Sequence, residues 1–206
     1  MTTATATTWM TADEFYDLVH RPENAGRWFE LVRGEVIELP PPTRIHGVVT
    51  ENISFHLGLY IRQRRKGYVT TNDAGTILER DPDTVRGPDV AYFTDAQAFR
   101  DLHPKYGEHP PLLAVEVLSP DDRVNRVLGK VDDYLNNGVR MVWLVDPEDQ
   151  TVRIFRPSQP PQTLTANQDL DGGDVLLGFR CPIRELFVLP EEEPAPPAPS
   201  DAPPAS

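Results

Sequence analysis

Leu112 to Leu118 reads LLAVEVL, and the proline-containing segments on either side, Pro110-Pro111 and Ser119-Pro120, leave room for one short strand. Side chains of a strand alternate between its two faces, so a run that is apolar at both odd and even positions needs cover on both sides. That is the pattern of a central strand covered on each side. Glu116 is the exception in the run. A buried carboxylate without a partner costs several kcal/mol, on the order of the penalty for any desolvated charge, so it needs a cation, strong donors, a raised pKa or an opening to solvent. A structural salt bridge would meet that need as well as a functional site would.

The rest of the chain supplies the layers. Thr11 and Glu14 have the spacing of a capping box, which predicts a short helix after Thr11. RWFELVRGEVIELP reads as a hairpin about Arg33-Gly34, stopped by Pro40 to Pro42. From His46 to about Lys66, Val49, Ile53, Leu57 and Tyr60 recur at helical intervals and should pack one face on the sheet. GYVTTNDAGTILE and RGPDVAYFT are strand candidates separated by the turn-rich RDPDT. After the LLAVEVL strand, DDRVNRVLGKVDDYLNNG reads as a helix with an acidic start and Gly138 at its C′ position. VRMVWLVDPE and TVRIFRP are further strands, and DVLLGFRCPIRELF closes the fold with a strand and a helical turn. The sum is a mixed α/β domain around one sheet, spanning residues 9–189, between a disordered N-terminus at 1–8 and a disordered, acidic, Pro/Glu-rich tail at 190–206.

Composition narrows the function classes. A net charge of −12 argues against broad, sequence-independent adhesion to nucleic acid, although RQRRK at Arg62 to Lys66 is a local basic cluster. No apolar run has the length of a membrane span, the N-terminus lacks the pattern of a secretory signal, and Cys181 is the sole cysteine. These features fit a cytoplasmic protein with no membrane partner. There is no GxGxxG, GxxxxGK[ST], GxSxG or HExxH motif, and DLDGGD lacks the later glutamate of a calcium loop and reads as a tight turn.

Against that background, Asp89 gains interest. It follows Pro88 where an apolar strand begins, and two carboxylates at corresponding ends of adjacent strands can converge on one hard divalent cation. Lys130 and Tyr134 stand one helical turn apart on the helix after the Glu116 strand, so both can face the same way. The ordinary alternatives are a solvated lysine and a packed tyrosine. His46, at the start of the long helix, is a ligand candidate or a capping residue. Cys181 reads as a small buried residue.

With Pro88-Asp89 followed by Glu116-Val117-Leu118 in an apolar strand, the chain resembles the PD-(D/E)XK nuclease superfamily. More closely, FELVRGEVIELPPPTRIHGVV, RGPDVAYF, LLAVEVLSPDDR and GVRMVWLVDPE resemble the Uma-type restriction endonuclease family, over roughly residues 9–189. The resemblance implies an α/β restriction-endonuclease-like fold, a central mixed β-sheet flanked by helices, and metal-dependent hydrolysis of DNA phosphodiesters. It implies that Asp89, Glu116 and the Val117 carbonyl bind Mg²⁺ or Mn²⁺, with His46 placed like a first-helix histidine of some superfamily exonucleases. Leu118 stands where the superfamily has lysine, and in this family a helix lysine, here Lys130, takes its place with Tyr134 in support. Glu30 and Glu35 match an ELxxGE segment, either of which could reach the metal. Arg44, Arg62, Arg64, Arg65 and Lys66 are candidates for DNA backbone contact, and a homodimer would let two sites address two strands. The alternative is a nuclease-like module that binds nucleic acid or protein without cleaving.

Overall fold

The computed structural model describes residues 9–120 and 124–189. The two flanking segments and the acidic Asp121-Asp122 start expected for the helix after Glu116 lie outside these residues. Thr11 accepts a hydrogen bond from the Glu14 amide and donates its own amide to the Glu14 carboxylate at 2.8 Å, closing the capping box that begins α1 (Ala12–Val19). β1 (Trp28–Val32) and β2 (Glu35–Leu39) pair through a two-residue turn in which Arg33 and Gly34 both have positive φ, as a twisted hairpin requires. α2 runs from Arg44 to Arg64, starting two residues before the expected boundary because Thr43 caps it by accepting the His46 amide. Arg65, in the left-handed conformation, stops it.

The stretch expected as one strand candidate after α2 divides into β3 (Tyr68–Thr71) and β4 (Thr76–Glu79), because Asn72 and Asp73 both take positive φ and turn the chain from one sheet into another. β5 (Thr84–Arg86), β6 (Val90–Phe93) and β7 (Leu113–Val117) follow, then α3 (Val124–Asn136), with Gly138 just beyond it at φ +95°. β8 (Met141–Asp146), β9 (Thr151–Phe155), β10 (Gln162–Thr165), β11 (Asp169–Asp171) and β12 (Arg180–Pro182) complete the strands, and a short 3-10 turn covers Ile183–Leu186. The DLDGGD segment is thus the whole of β11 followed by a turn, in which the Asp171 side chain accepts the Gly173 amide at 2.6 Å.

The principal sheet has the order β10-β9-β8-β7-β6-β3. β7 and β8 are parallel, joined by α3 as the crossover, while their outer neighbours are antiparallel. The continuous apolar run therefore sits at the centre of a mixed sheet covered on both faces. Val49, Ile53 and Leu57, spaced four apart on α2, pack over Leu113, Val115, Val117, Met141, Trp143 and Val145. Val127, Val131 and Tyr134 of α3 pack on the opposite face over Ala114, Val142 and Leu144. The strands do not join in the one sheet expected: the positive-φ turn at Asn72-Asp73 takes the chain out of the principal sheet, β2-β1-β5-β4 form a second sheet with its own small core of Ala12, Phe15, Leu31 and Val85, and β11 and β12 pair as a third.

Candidate active site

Alternation along β7 turns Glu116 toward α3, away from the α2 core. Lys130 and Tyr134 sit one turn apart on α3 and both point at it. Lys130 Nζ lies 2.5 Å from Glu116 Oε2, and the Tyr134 hydroxyl donates to Oε1 at 2.6 Å. All three side chains are buried. The carboxylate that looked misplaced in the sequence is therefore fully partnered, by one charge and one strong neutral donor.

Lys130 has a second carboxylate. Glu30, from the middle of β1, places Oε1 3.2 Å from Nζ, and its Oε2 accepts from Arg86 Nη1 at 2.6 Å. Arg86, at the end of β5, also binds Asp133 of α3, and Arg33 Nη2 reaches the other Asp133 oxygen at 3.0 Å. These pairs clamp the second sheet to α3 at Lys130 and, one turn on, at Asp133. Glu35 is exposed on β2, away from this network, so of the two glutamates in the ELxxGE segment it is Glu30 that the structure brings to Lys130.

Asp89 precedes β6, and the β6–β7 register, Val90 opposite Val115, sets it beside the Glu116–Val117 end of β7. Its Oδ2 accepts the Val117 amide at 2.6 Å, and its Oδ1 lies 3.1 Å from His46 Nε2. His46 stands in the first turn of α2 and so meets Asp89 directly. A small cleft of about 80 Å³ joins these groups, lined among others by His46, Asp73, Asp89, Glu116, Leu118, Arg126 and Lys130. That space is enough for a hydrated ion at the floor of the cleft.

Asp73 was not singled out in the sequence. It lies in the turn that divides β3 from β4, and the bare Cα of Gly87 lets the RGPD turn pack against it: a Cβ at Gly87 would come within 2.4 Å of the Asp73 carbonyl oxygen. The adjacent Asn72-Asp73 pair was a turn signal, but nothing in its spacing linked it to Asp89 or Glu116.

The electrostatics record the crowding. Burial pushes Glu116 up to about 7, with the charges of Asp89 and Glu30 adding to the rise and Lys130 opposing it. Burial, then the charge of Asp89, pushes Asp73 up to about 6. Glu30 moves the other way: burial would raise it, but Lys130 and Arg86 together hold it below the usual range. Burial likewise opposes the charge on Lys130, yet Glu116, Glu30 and Asp89 outweigh it and raise its pKa. His46 is raised on balance, since its bond to Asp89 overcomes burial. Three carboxyl groups around one small cleft, two of them raised, form a hard-oxygen set that a divalent cation would relieve.

The proposed DNA contacts divide. Arg44 is exposed at the N-terminal end of α2, near His46. Arg62, Arg64, Arg65 and Lys66 lie at the other end, roughly 24 Å along the helix axis from His46, and Arg64 there donates to the Leu177 carbonyl at 2.8 Å. The structure does not bring this cluster to the cleft.

A family model described as Uma2, putative restriction endonuclease, matches residues 12–184. The chain belongs to the Uma2 family. Its structure is similar to the crystal structure of a putative nuclease belonging to DUF820 from Anabaena variabilis, with a TM-score of 0.73 at 22% identity, covering 86% of this chain and 97% of that one. The fold of this Uma2 chain is accordingly restriction-endonuclease-like, and the family to which it belongs is described as one of putative restriction endonucleases. No curated protein matches the sequence. Among the described residues no helix is long and apolar enough to cross a membrane.

Proposed function

We propose that this Uma2 chain is a DNA endonuclease that depends on Mg²⁺ or Mn²⁺, with Asp89, Glu116 and the Val117 carbonyl holding the cation. The observation that supports this reading best is Lys130. Position 118, where a catalytic lysine would be expected, is Leu118, but the α3 lysine delivers its ammonium to Glu116 from across the strand. When bound, the cation would supply Lewis-acid stabilisation of phosphoryl charge and a water of lowered pKa.

The chain's own groups have separable tasks. Lys130 sits between Glu116 and Glu30, so turning Glu116 toward a cation leaves the ammonium still held by Glu30 and facing the cleft. There it can stabilise the negative charge that develops at phosphorus during attack. Arg86 and Asp133 fix Glu30 and α3 relative to each other and thereby fix Lys130. His46 and the Val117 amide orient Asp89, and Tyr134 orients Glu116. Arg44 is placed to meet a DNA phosphate beside the cleft, with Arg126 in the cleft wall.

The test is nicking of supercoiled plasmid in Mg²⁺ and in Mn²⁺ by wild type, Asp89→Ala, Glu116→Ala and Lys130→Ala. We expect each variant to lose at least about 100-fold, the cost of deleting one preorganised electrostatic group. Undiminished cleavage by the two carboxylate variants would remove the site assignment. No cleavage by wild type on varied DNA and RNA substrates, with binding retained, would favour the non-cleaving module instead. Sedimentation with and without DNA tests the homodimer that paired cleavage of two strands calls for.

A further inference from the structure

Among the described residues, one group of three His, Cys, Asp or Glu side chains places its ligand atoms all within 4.8 Å of one another, and it is away from the cleft. It consists of His56, Cys181 and Glu185. His56 lies ten residues after His46 on α2, roughly 15 Å further along the axis. Cys181 is the middle residue of β12, and Glu185 belongs to the 3-10 turn that follows.

We propose that His56, Cys181 and Glu185 form a zinc-binding site, with a water as the fourth ligand. The donor set is one imidazole nitrogen, one sulfur and one carboxylate oxygen, a borderline-soft combination that suits Zn²⁺ and not the hard Mg²⁺ proposed for the cleft. At ordinary zinc bond lengths, tetrahedral ligand atoms stand roughly 3.3–3.7 Å apart. His56 Nε2 and Glu185 Oε2 are already 3.4 Å apart. Closing the group on the sulfur needs shifts of about 1 Å, within the reach of side-chain rotation.

Burial is arranged to suit such a site. Cys181 is fully buried and forms its floor, while the His56 and Glu185 side chains keep 20% and 44% of their surface exposed. An ion can therefore approach from solvent and keep a water on its outer side. The Cys181 thiol gives up its proton when a cation takes the sulfur. Binding forms a zinc–thiolate bond to Cys181, coordinates a ring nitrogen of His56 and a carboxylate oxygen of Glu185, and releases the thiol proton to water. The ion would tie β12 and the final turn to α2, beside the Asn52 amide, which already bridges the two by donating to the Leu186 and Val188 carbonyls at 3.1 and 3.0 Å.

The test uses the full chain, freed of metal by chelation and dialysis, titrated first with Co²⁺ and then with Zn²⁺. We expect one equivalent of Co²⁺ to give a near-ultraviolet thiolate-to-cobalt charge-transfer band, Zn²⁺ to abolish it, and Zn²⁺ to raise Tm. Cys181→Ser should lose the band. His56→Gln, a substitution at the partly exposed rim that leaves the core intact, should weaken Zn²⁺ binding at least about tenfold. Asp89→Asn should retain both the band and the affinity. Absence of the band in folded wild type would overturn the proposal. So would Zn²⁺ affinity unchanged in His56→Gln, or binding that survives Cys181→Ser and disappears in Asp89→Asn, which would place the ion in the cleft.

Discussion

Val115 and Glu116 are neighbours on β7, yet they face different environments. On the α2 side the central strands present Leu113, Val115, Val117, Met141, Trp143 and Val145 to an unbroken apolar ridge. On the α3 side Ala114, Val142 and Leu144 begin the same way, but at the C-terminal end of β7 the apolar surface gives way to Glu116, Lys130 and Tyr134. One face stabilises the sheet by burial, and the other spends part of that stability on a charge network. Lys130→Met should show the largest effect. It leaves Glu30 and Glu116 buried without their shared cation, at a cost of about 3–5 kcal/mol in urea unfolding. The triple variant Glu30→Gln, Glu116→Gln, Lys130→Met should recover much of that loss, because removing all the charges avoids the unpaired ones. It should recover no cleavage.

The same comparison predicts a different outcome across the sheet. Leu57→Ala removes a fully buried side chain from the α2 ridge and should cost about 2–5 kcal/mol. Assayed where it remains folded, it should nick plasmid at nearly the wild-type rate per folded molecule, since Leu57 touches none of the charged groups. A rate loss matching that of Lys130→Met would show that the two faces are not functionally separate. Tyr134→Phe should have a smaller stability effect, about 1–3 kcal/mol, because Glu116 loses one donor while Lys130 stays. Its signature is a split between stability and activity, with cleavage lowered more than a packing change would explain.

The sequence exposed these faces unevenly. The apolar run about Glu116 specified a strand covered on both sides, and helical spacing in α2 identified one covering layer, because local periodicity encodes which side of an element is buried, while α3 was legible as a helix only from its ends. Lys130 and Tyr134 were legible as a pair because they stand one helical turn apart. Asp73 and Arg86 were not. Asp73 reaches the cleft only because two positive-φ residues turn the chain between sheets and Gly87 permits close packing there. Arg86 joins β1 to α3 across sequence separations of 56 and 47 residues, a pairing that no local pattern encodes. The division of the ELxxGE glutamates was equally hidden, since it depends on which side of the β1–β2 hairpin meets α3. Helix geometry set Arg62 to Lys66 far from His46, but deciding whether that end mattered required knowing where the cleft lies.

Glu30 allows the finest test of the comparison, because it brings a buried carboxylate to α3, whereas Val49, Ile53 and Leu57 of the α2 ridge have nothing to titrate. Lys130 from α3 and Arg86 from β5 face its carboxylate, with Glu116 and Asp133 as their other partners. The two cations hold Glu30 below its ordinary value of 4.5 despite burial. A depressed folded-state pKa contributes stability that is fully present above the unfolded value and is lost as pH falls through the folded one. Wild type should therefore exceed Glu30→Gln in stability by a constant amount near neutral pH, and the gap should close below about pH 4.5, with a slope of at most about 1.4 kcal/mol per pH unit, the limit for one proton. Leu57→Ala, measured over the same range, should keep a constant offset from wild type. If instead the Glu30→Gln gap persists unchanged into acid, Glu30 is held by packing and not by charge, and the clamp between the second sheet and α3 does not depend on the Lys130 and Arg86 cations.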